Sequence, residues 1–257
     1  MSRDRIAPAL SFAIVLALWE WAARAGWVAD YIVPAPSTIV VHIYSTFGLL
    51  LRHSYITALE VGLGFLLAVV GGIGIAMAMV YVKTVESVVY PWVVVSQVIP
   101  KVAIGPLLLM WLGFGLVPKV VIAFLVAFFP ILVGAMIGFR SVEREPLFLL
   151  RSMGSSRWQT FWHLQVPTAL PNIFAGMKVA ITLAVVGAIV GEFIGANVGL
   201  GYLLLYANGI IDTKLLFAAL VMISVLAMIA YWLVALAERL FIPWHVSVRQ
   251  DTARPTL

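Results

Sequence analysis

The chain contains no cysteine, so neither a disulfide framework nor a thiolate metal site is open to it. It is also short of charge. Only 11% of its 257 residues are Asp, Glu, Lys or Arg, against roughly a quarter in soluble domains. No lysine follows a glycine anywhere, which excludes a phosphate-cradling Walker A loop. The four histidines, His42, His53, His163 and His245, stand apart without metal-ligand spacing, and no Gly-x-Ser-x-Gly elbow occurs. No internal repeat or low-complexity segment is visible. These absences leave an enzyme little to work with, an intramembrane hydrolase built on Glu60 or Glu192 being the one such reading left. No cofactor is expected to bind this chain.

What is present is apolar: 63% of the residues are hydrophobic and the mean hydropathy is +1.10. A polytopic, all-α membrane protein follows, with the bundle of spans as its packed core. Six spans are expected, near Ile6–Trp27, Ile56–Tyr81, Val88–Leu112, Lys119–Phe139, Asn172–Gly195 and Leu215–Phe241. The first is too long for the apolar region of a signal peptide and is expected to be retained. Glu20 and Arg24 stand four apart there and can pair on one helix face. Pro34 and Pro36 stop the chain, and Ser37 is placed to cap a short helix over 38–51. Span two carries Gly62, Gly64, Gly71, Gly72 and Gly74, which suits close packing in the bundle centre. Span three holds Pro91, Pro100 and Pro106. Each removes a helix hydrogen bond, and the freed carbonyls need protein or water rather than lipid.

The longest polar interruption runs from Arg140 to Pro171, with Arg140, Arg144, Arg151, Arg157, Glu143, Glu145 and His163 set among recurring apolar residues. The apolar spacing predicts two short helices beside the membrane, separated at Gly154-Ser155-Ser156 and closed by Pro167 and Pro171. Counting Lys and Arg by side places ten with this loop: two before span one, Lys83, four in the loop, and Arg239 at the end of span six with Arg249 and Arg254 after it. Four lie opposite, Arg24, Arg52, Lys119 and Lys214. Positive charge favours the cytoplasm, so the loop and both termini are expected there. The expected organisation is an N-terminal span and outer amphipathic segment (1–55), a five-helix core (56–243, with the loop at 140–171) and a cytoplasmic tail (244–257).

Intramembrane charges cost about 2.5–3.5 kcal/mol on insertion scales, so Glu60, Lys101, Lys178 and Glu192 should face protein or water. Pairing within the bundle is the plainer expectation for Lys178, Glu60 and Glu192. Lys101, next to the helix-breaking Pro100, is a candidate for a translocation path that favours anionic or polar solutes. Pro100, Lys101, Pro106, Lys178 and Glu192 make up the candidate path. Gly195, Gly199 and Gly201 form the candidate outer turn.

Gly154, nine residues, then Leu164-Gln165-Val166-Pro167, placed between the last two pairs of spans, resembles the cytoplasmic loop of binding-protein-dependent ABC importer permeases. The Glu-Ala-Ala that opens that pattern is replaced here by Phe148-Leu149-Leu150. Pro34-Ala-Pro-Ser, IPKVAIGPLLLMWLGFG (99–115), GSSRWQTFWHLQVPTALPNIFAGMKVA (154–180), VGEFIGANVGLGYLL (190–204) and Pro243-Trp244-His245 extend the likeness to the nitrate, sulfonate and taurine importer group, which includes relatives for pyrimidine precursors of thiamine, for riboflavin and for aromatic carboxylates. The resemblance implies a type I importer (MetI-like) bundle in the bacterial inner membrane, acting as a homodimer. It also implies a periplasmic or lipid-anchored binding protein that selects the solute, and an ATP-binding subunit pair that uses ATP and Mg. The solute would be a sulfonate-, taurine- or nitrate-type anion or a vitamin-precursor heterocycle. Leu150, Arg151, Gly154, Ser155, Arg157, Trp158 and Pro167 would then couple to the ATPase. Two readings from other classes remain: a secondary transporter with an ion-coupled site at Glu192 or Lys101, and a structural or assembly protein that carries no solute.

Overall fold

The computed structural model describes residues 3–244, with side chains from Leu10 onward. His245, and all of the expected tail except Trp244, lie outside the described residues. The described chain is helical throughout, in eleven α-helices: α1 (Arg3–Arg24), α2 (Pro36–Ser45), α3 (Phe47–Tyr81), α4 (Lys83–Val98), α5 (Gly105–Leu112), α6 (Leu116–Arg140), α7 (Arg144–Ser152), α8 (Arg157–Thr160), α9 (Val166–Gly195), α10 (Leu200–Gly209) and α11 (Thr213–Phe241). Among the described residues, α3, α6, the continuous run Arg157–Gly195 and α11 are long and apolar enough to cross a membrane.

A fifth crossing is the broken pair α4–α5. Pro100 ends α4, residues Lys101–Ile104 form a 3-10 turn, and Pro106 sits in the first turn of α5. The bend across this break is 85°. That the pair carries the chain back across follows from its neighbours. Gly64 of α3 abuts Ala123 of α6, and Gly72 abuts Ile131. The two helices therefore run parallel, and only a crossing between them permits that. α1, 22 residues long, lies in the place expected for the first span.

α6 and α9 form the antiparallel centre of the bundle. A Cβ added to Gly134 would lie 2.7 Å from the Asn172 carbonyl oxygen, and one on Gly176 would lie 2.6 Å from that of Pro130. The two backbones thus meet directly, as small residues allow. Around this seam pack Ala123, Ala127, Ile131, Phe174, Ala180 and Ala184, all buried. α9 is the most enclosed span and α11 the least. Span two fits its expected central place only on one face. Gly64 and Gly72 touch α6, whereas Cβ atoms on Gly62 and Gly74 would meet open space.

Three local expectations are corrected. The helix expected over 38–51 ends at Ser45, and α3 starts at Phe47 and continues unbroken for 35 residues. Ser37 caps nothing. Its N–H and hydroxyl donate to Glu20 at 3.0 and 2.7 Å, and Arg24 pairs with the same carboxylate at 2.5 Å, so Glu20 ties α2 to α1. The second short helix of the polar loop is instead the start of α9. Pro167 and Pro171 do not close it, because a π turn at Phe161–Gln165 widens the helix just before Pro167, with the Val166 N–H bonded to the Phe161 carbonyl. The wider turn makes room where the proline ring and its missing N–H would otherwise disrupt the ladder.

Candidate functional site

The polar loop forms an elbow at one end of the α6–α9 pair. α7 closes with the N–H groups of Met153, Gly154 and Ser155 bonded to carbonyls of its last turn. Gly154 adopts φ +80°, a conformation that costs other residues about 1–2 kcal/mol. Ser156 then caps α8 in a reciprocal box with Gln159, and the Ser155 and Thr160 hydroxyls lie 3.0 Å apart.

The elbow presents apolar surface outward. Phe148, Leu149, Met153 and Trp158 are each more than 60% exposed, with Arg151 and Arg157 exposed beside them, while Leu150 is half-buried. Behind the elbow, Tyr81, Phe139, Phe161, Trp158 and Trp162 form a chain of ring contacts with centroids 5.3–6.4 Å apart. The Tyr81 hydroxyl donates to Gln165, and Arg140 pairs with Glu86. A cavity of about 620 Å³ separates Leu147 and Arg151 of α7 from Met77 and Tyr81 of α3. Pro167 stands half-buried at the start of α9, one turn from this aromatic group.

Of the intramembrane charges, Lys178 pairs with Glu238 of α11, a partner the sequence reading did not supply. Cavities of about 710 and 530 Å³ share Lys178, Tyr231 and Glu238 in their walls. Lys101 lies at the α4–α5 break, half-buried, with its ammonium 4.3 Å from the centre of the Phe129 ring and 3.4 Å from the Gln97 carbonyl oxygen. Pro100 and Pro106 flank it, both exposed. The structure does not bring Lys101 together with Lys178.

At the opposite end of α9, Glu192 enters a closed cluster, 1% exposed. Thr57 donates to its Oε1 at 2.6 Å, and the N–H groups of Gly201 and Tyr202 donate to Oε2, the latter at 3.3 Å. Thr57 accepts the Leu200 N–H at 2.8 Å, and His53 Nδ1 lies 3.0 Å from the Gly199 nitrogen. Every one of these N–H groups belongs to the opening of α10, where a helix has no internal acceptors. Gly195 ends α9, and Gly199 turns the chain at φ +122°. A Cβ on Gly199 would strike the Glu192 carboxyl, and one on Gly201 would come within 2.9 Å of it.

Glu60 completes the cluster and pairs with Lys119. Lys119, counted from the sequence as an outer loop charge, is in fact only 4% exposed inside the bundle. His53, Thr57 and Glu60 recur at intervals of four and three on α3, a spacing that already announces one polar face.

The chain matches the family described as the binding-protein-dependent transport system inner membrane component over residues 70–242, and it belongs to that family. The riboflavin transport system permease protein of Chloroflexus aurantiacus is 34% identical over 246 residues, which cover 93% of this chain and 92% of that protein. The formylaminopyrimidine transport permease protein of Halalkalibacterium halodurans is 34% identical over 245 residues, 95% and 98% of the two chains. Among solved structures, the inward-facing MetNI methionine ABC transporter aligns with a TM-score of 0.64 at 17% identity, covering 77% of this chain and 98% of the other. That likeness shows the fold: a MetI-type importer permease bundle. The protein is thus a membrane-embedded permease subunit of an ABC importer.

Proposed function

We propose that this permease works as a homodimer, receives a small organic solute from a binding protein at its outer face, and is driven by a pair of ATP-hydrolysing subunits at the face carrying the elbow. The observation that carries the reading is the elbow itself: an exposed apolar and basic knob, from Phe148 to Trp158, set at the end of the glycine-packed α6–α9 pair. An apolar helix face of this kind fits a groove on a soluble partner. The π turn joins α8 to α9 without a break, so a displacement of the elbow moves α9 as a rigid body. Leu150, Arg151, Gly154, Ser155, Arg157, Trp158 and Pro167 are the coupling residues of this proposal. The ATP and Mg belong to the partner. Both termini lie with the elbow on the cytoplasmic side, which the excess of Lys and Arg there supports.

For the path, the α4–α5 break at Pro100, Lys101 and Pro106 and the cavity-lining Lys178 are the proposed surfaces. The solute class best supported is a vitamin-precursor heterocycle. The relatives named for riboflavin and formylaminopyrimidine reach 34% identity, against 25% for the taurine permease of Escherichia coli and 29% for the sulfonate permease of Bacillus subtilis.

The test is reconstitution in lipid with the ATPase and binding protein of the same genome, reading ATP hydrolysis as heterocycles, taurine, sulfonates and nitrate are offered. Stimulation by a heterocycle confirms both parts. Stimulation by an anion alone keeps the importer and replaces the solute class. Uptake that proceeds without ATP under an ion gradient overturns the importer reading.

A further inference from the structure

The cavity behind the elbow, about 620 Å³, is of a size that holds a small molecule, for which about 300–1,000 Å³ is usual. Its wall carries two cations and no acid. Arg151 comes from the last turn of α7 and Arg157 from the first turn of α8, and neither guanidinium has an ion-pair or hydrogen-bond partner among the described residues. The nearby acids are placed elsewhere: Glu143 and Glu145 open α7, and Glu86 is taken by Arg140. Gln165 lines the same space. Its carboxamide oxygen accepts from Tyr81, which leaves its amino group as a further donor. The rest of the wall is apolar and aromatic, from Met77, Leu147, Trp158 and Phe161.

We propose that this cavity binds the phosphate headgroup of an anionic phospholipid from the leaflet at the elbow's face of the bundle, with Arg151 and Arg157 on the phosphate.

Charge selects an anion, and the paired N–H donors of a guanidinium match the oxygens of a phosphate. Position then selects a lipid over a free phosphate. Tyr81 is the last residue of α3 and Phe161 opens the π turn that leads into α9, so the cavity stands where two spans end. Tyr81 and Trp158 in its wall are the ring types that favour the membrane–water interface. A free phosphate fills only the basic side and leaves Met77, Leu147 and Phe161 against water. A phospholipid covers both sides, its phosphate on the arginines and its glycerol and first acyl carbons on the apolar wall. A zwitterionic headgroup brings an ammonium, for which the wall has no carboxylate. Basic pockets between spans hold anionic headgroups in this way. No residue of α7 is buried, so a headgroup here bridges α7 to the end of α3 across a space that the protein leaves open.

Lipid binding needs neither the ATPase nor the solute, so its outcome is separate from that of the importer reading. Full-length permease, purified alone in a mild detergent, is titrated with phosphatidylglycerol, phosphatidylcholine or inorganic phosphate, and bound lipid is counted by native mass spectrometry. Phosphatidylglycerol should fill one site per chain ahead of phosphatidylcholine. Arg151→Gln with Arg157→Gln should weaken that binding by at least about tenfold, the loss expected when two basic contacts to a lipid are removed. Lys83→Gln with Arg144→Gln takes away the same charge outside the cavity wall and should leave the affinity unchanged. All four side chains are exposed, so both variants should fold. Equal losses in the two double variants would show attraction to surface charge rather than a site and overturn the proposal. Phosphatidylcholine binding as tightly as phosphatidylglycerol overturns it too. So does displacement of phosphatidylglycerol by inorganic phosphate at equal concentration, since the apolar wall then contributes nothing.

Discussion

Replacing Gly176 with alanine tests whether the α6–α9 seam is as tight as its geometry states. The new Cβ would lie 2.6 Å from the Pro130 carbonyl oxygen and 3.4 Å from the Gly134 Cα. Ordinary contact lies near 3.5 Å, so the helices must separate by roughly 0.9 Å at this point. A gap of that size forfeits up to about half of the dispersion attraction of the atoms that lose contact, and overpacking of this kind costs about 1–3 kcal/mol. Alanine also favours a helix over glycine by about 1 kcal/mol, so the proper reference is another glycine-to-alanine change in a span. Gly62 serves, because a Cβ there meets nothing within 4 Å. On the scale of soluble domains, a difference of about 2 kcal/mol between the two variants corresponds to roughly 4–8 °C. The assay is thermal unfolding of both purified variants in the same lipid or detergent. Gly176→Ala should melt below wild type or near it, and Gly62→Ala at wild type or above. Equal melting temperatures for the two variants would refute the close-packed seam.

Gly154→Val places a β-branched residue at φ +80°, open to solvent. It should cost about 1–2 kcal/mol locally and abolish stimulation of the ATPase while the spans stay folded by circular dichroism. Phe148→Glu changes an exposed side chain, so the melting temperature should stay within about 0.5 kcal/mol of wild type while co-purification with the ATPase is lost. Lys119→Met leaves the outer cluster with no cation and should cost about 3–5 kcal/mol, seen as low folded yield. Lys178→Met with Glu238→Met removes both members of an ion pair. Stability should recover relative to Lys178→Met alone, and uptake should not, if Lys178 contributes to the path. Recovery of both would make the pair purely structural.

What the sequence made legible rests on local chain chemistry. Pro100 followed by Lys101, Gly105 and Pro106 allows no continuous helix, and the break falls there. Gly154 needs its positive φ, and the elbow bends there. The spans are visible because lipid demands apolar residues in runs of about twenty. What stayed hidden depends on partners distant in the chain. Lys119 follows Pro118 at the edge of an apolar run and reads as an interfacial charge; only the parallel packing of α3 on α6 brings Glu60 against it. Lys178 gave no hint of Glu238, since the antiparallel register of α9 and α11 sets that pair. Proline at 167 and 171 normally ends a helix, and the π turn that rescues it has no sequence signature of its own. Helix α10 was hidden for a related reason: its cap comes from two other helices, α3 and α9, rather than from a neighbouring Ser or Asp.

That remote cap explains why so much charge gathers at one point of an otherwise apolar bundle. A helix that begins inside the bundle has N–H groups that water does not reach, and each must find an acceptor. Four such groups, from Gly199 to Tyr202, are met by His53, Thr57 and Glu192. Lys119, from the end of α6 away from Arg140, brings a cation to this cluster, where it pairs with Glu60. Glu192 also needs a backbone that can approach it, and at Gly199 only the absence of a side chain permits that approach. The glycines of the outer turn and the charges of the spans, separate features in the sequence, are therefore consequences of one requirement. Because α6 and α9 carry both this cluster and the elbow, the two ends of the permease are connected by its most closely packed pair of helices.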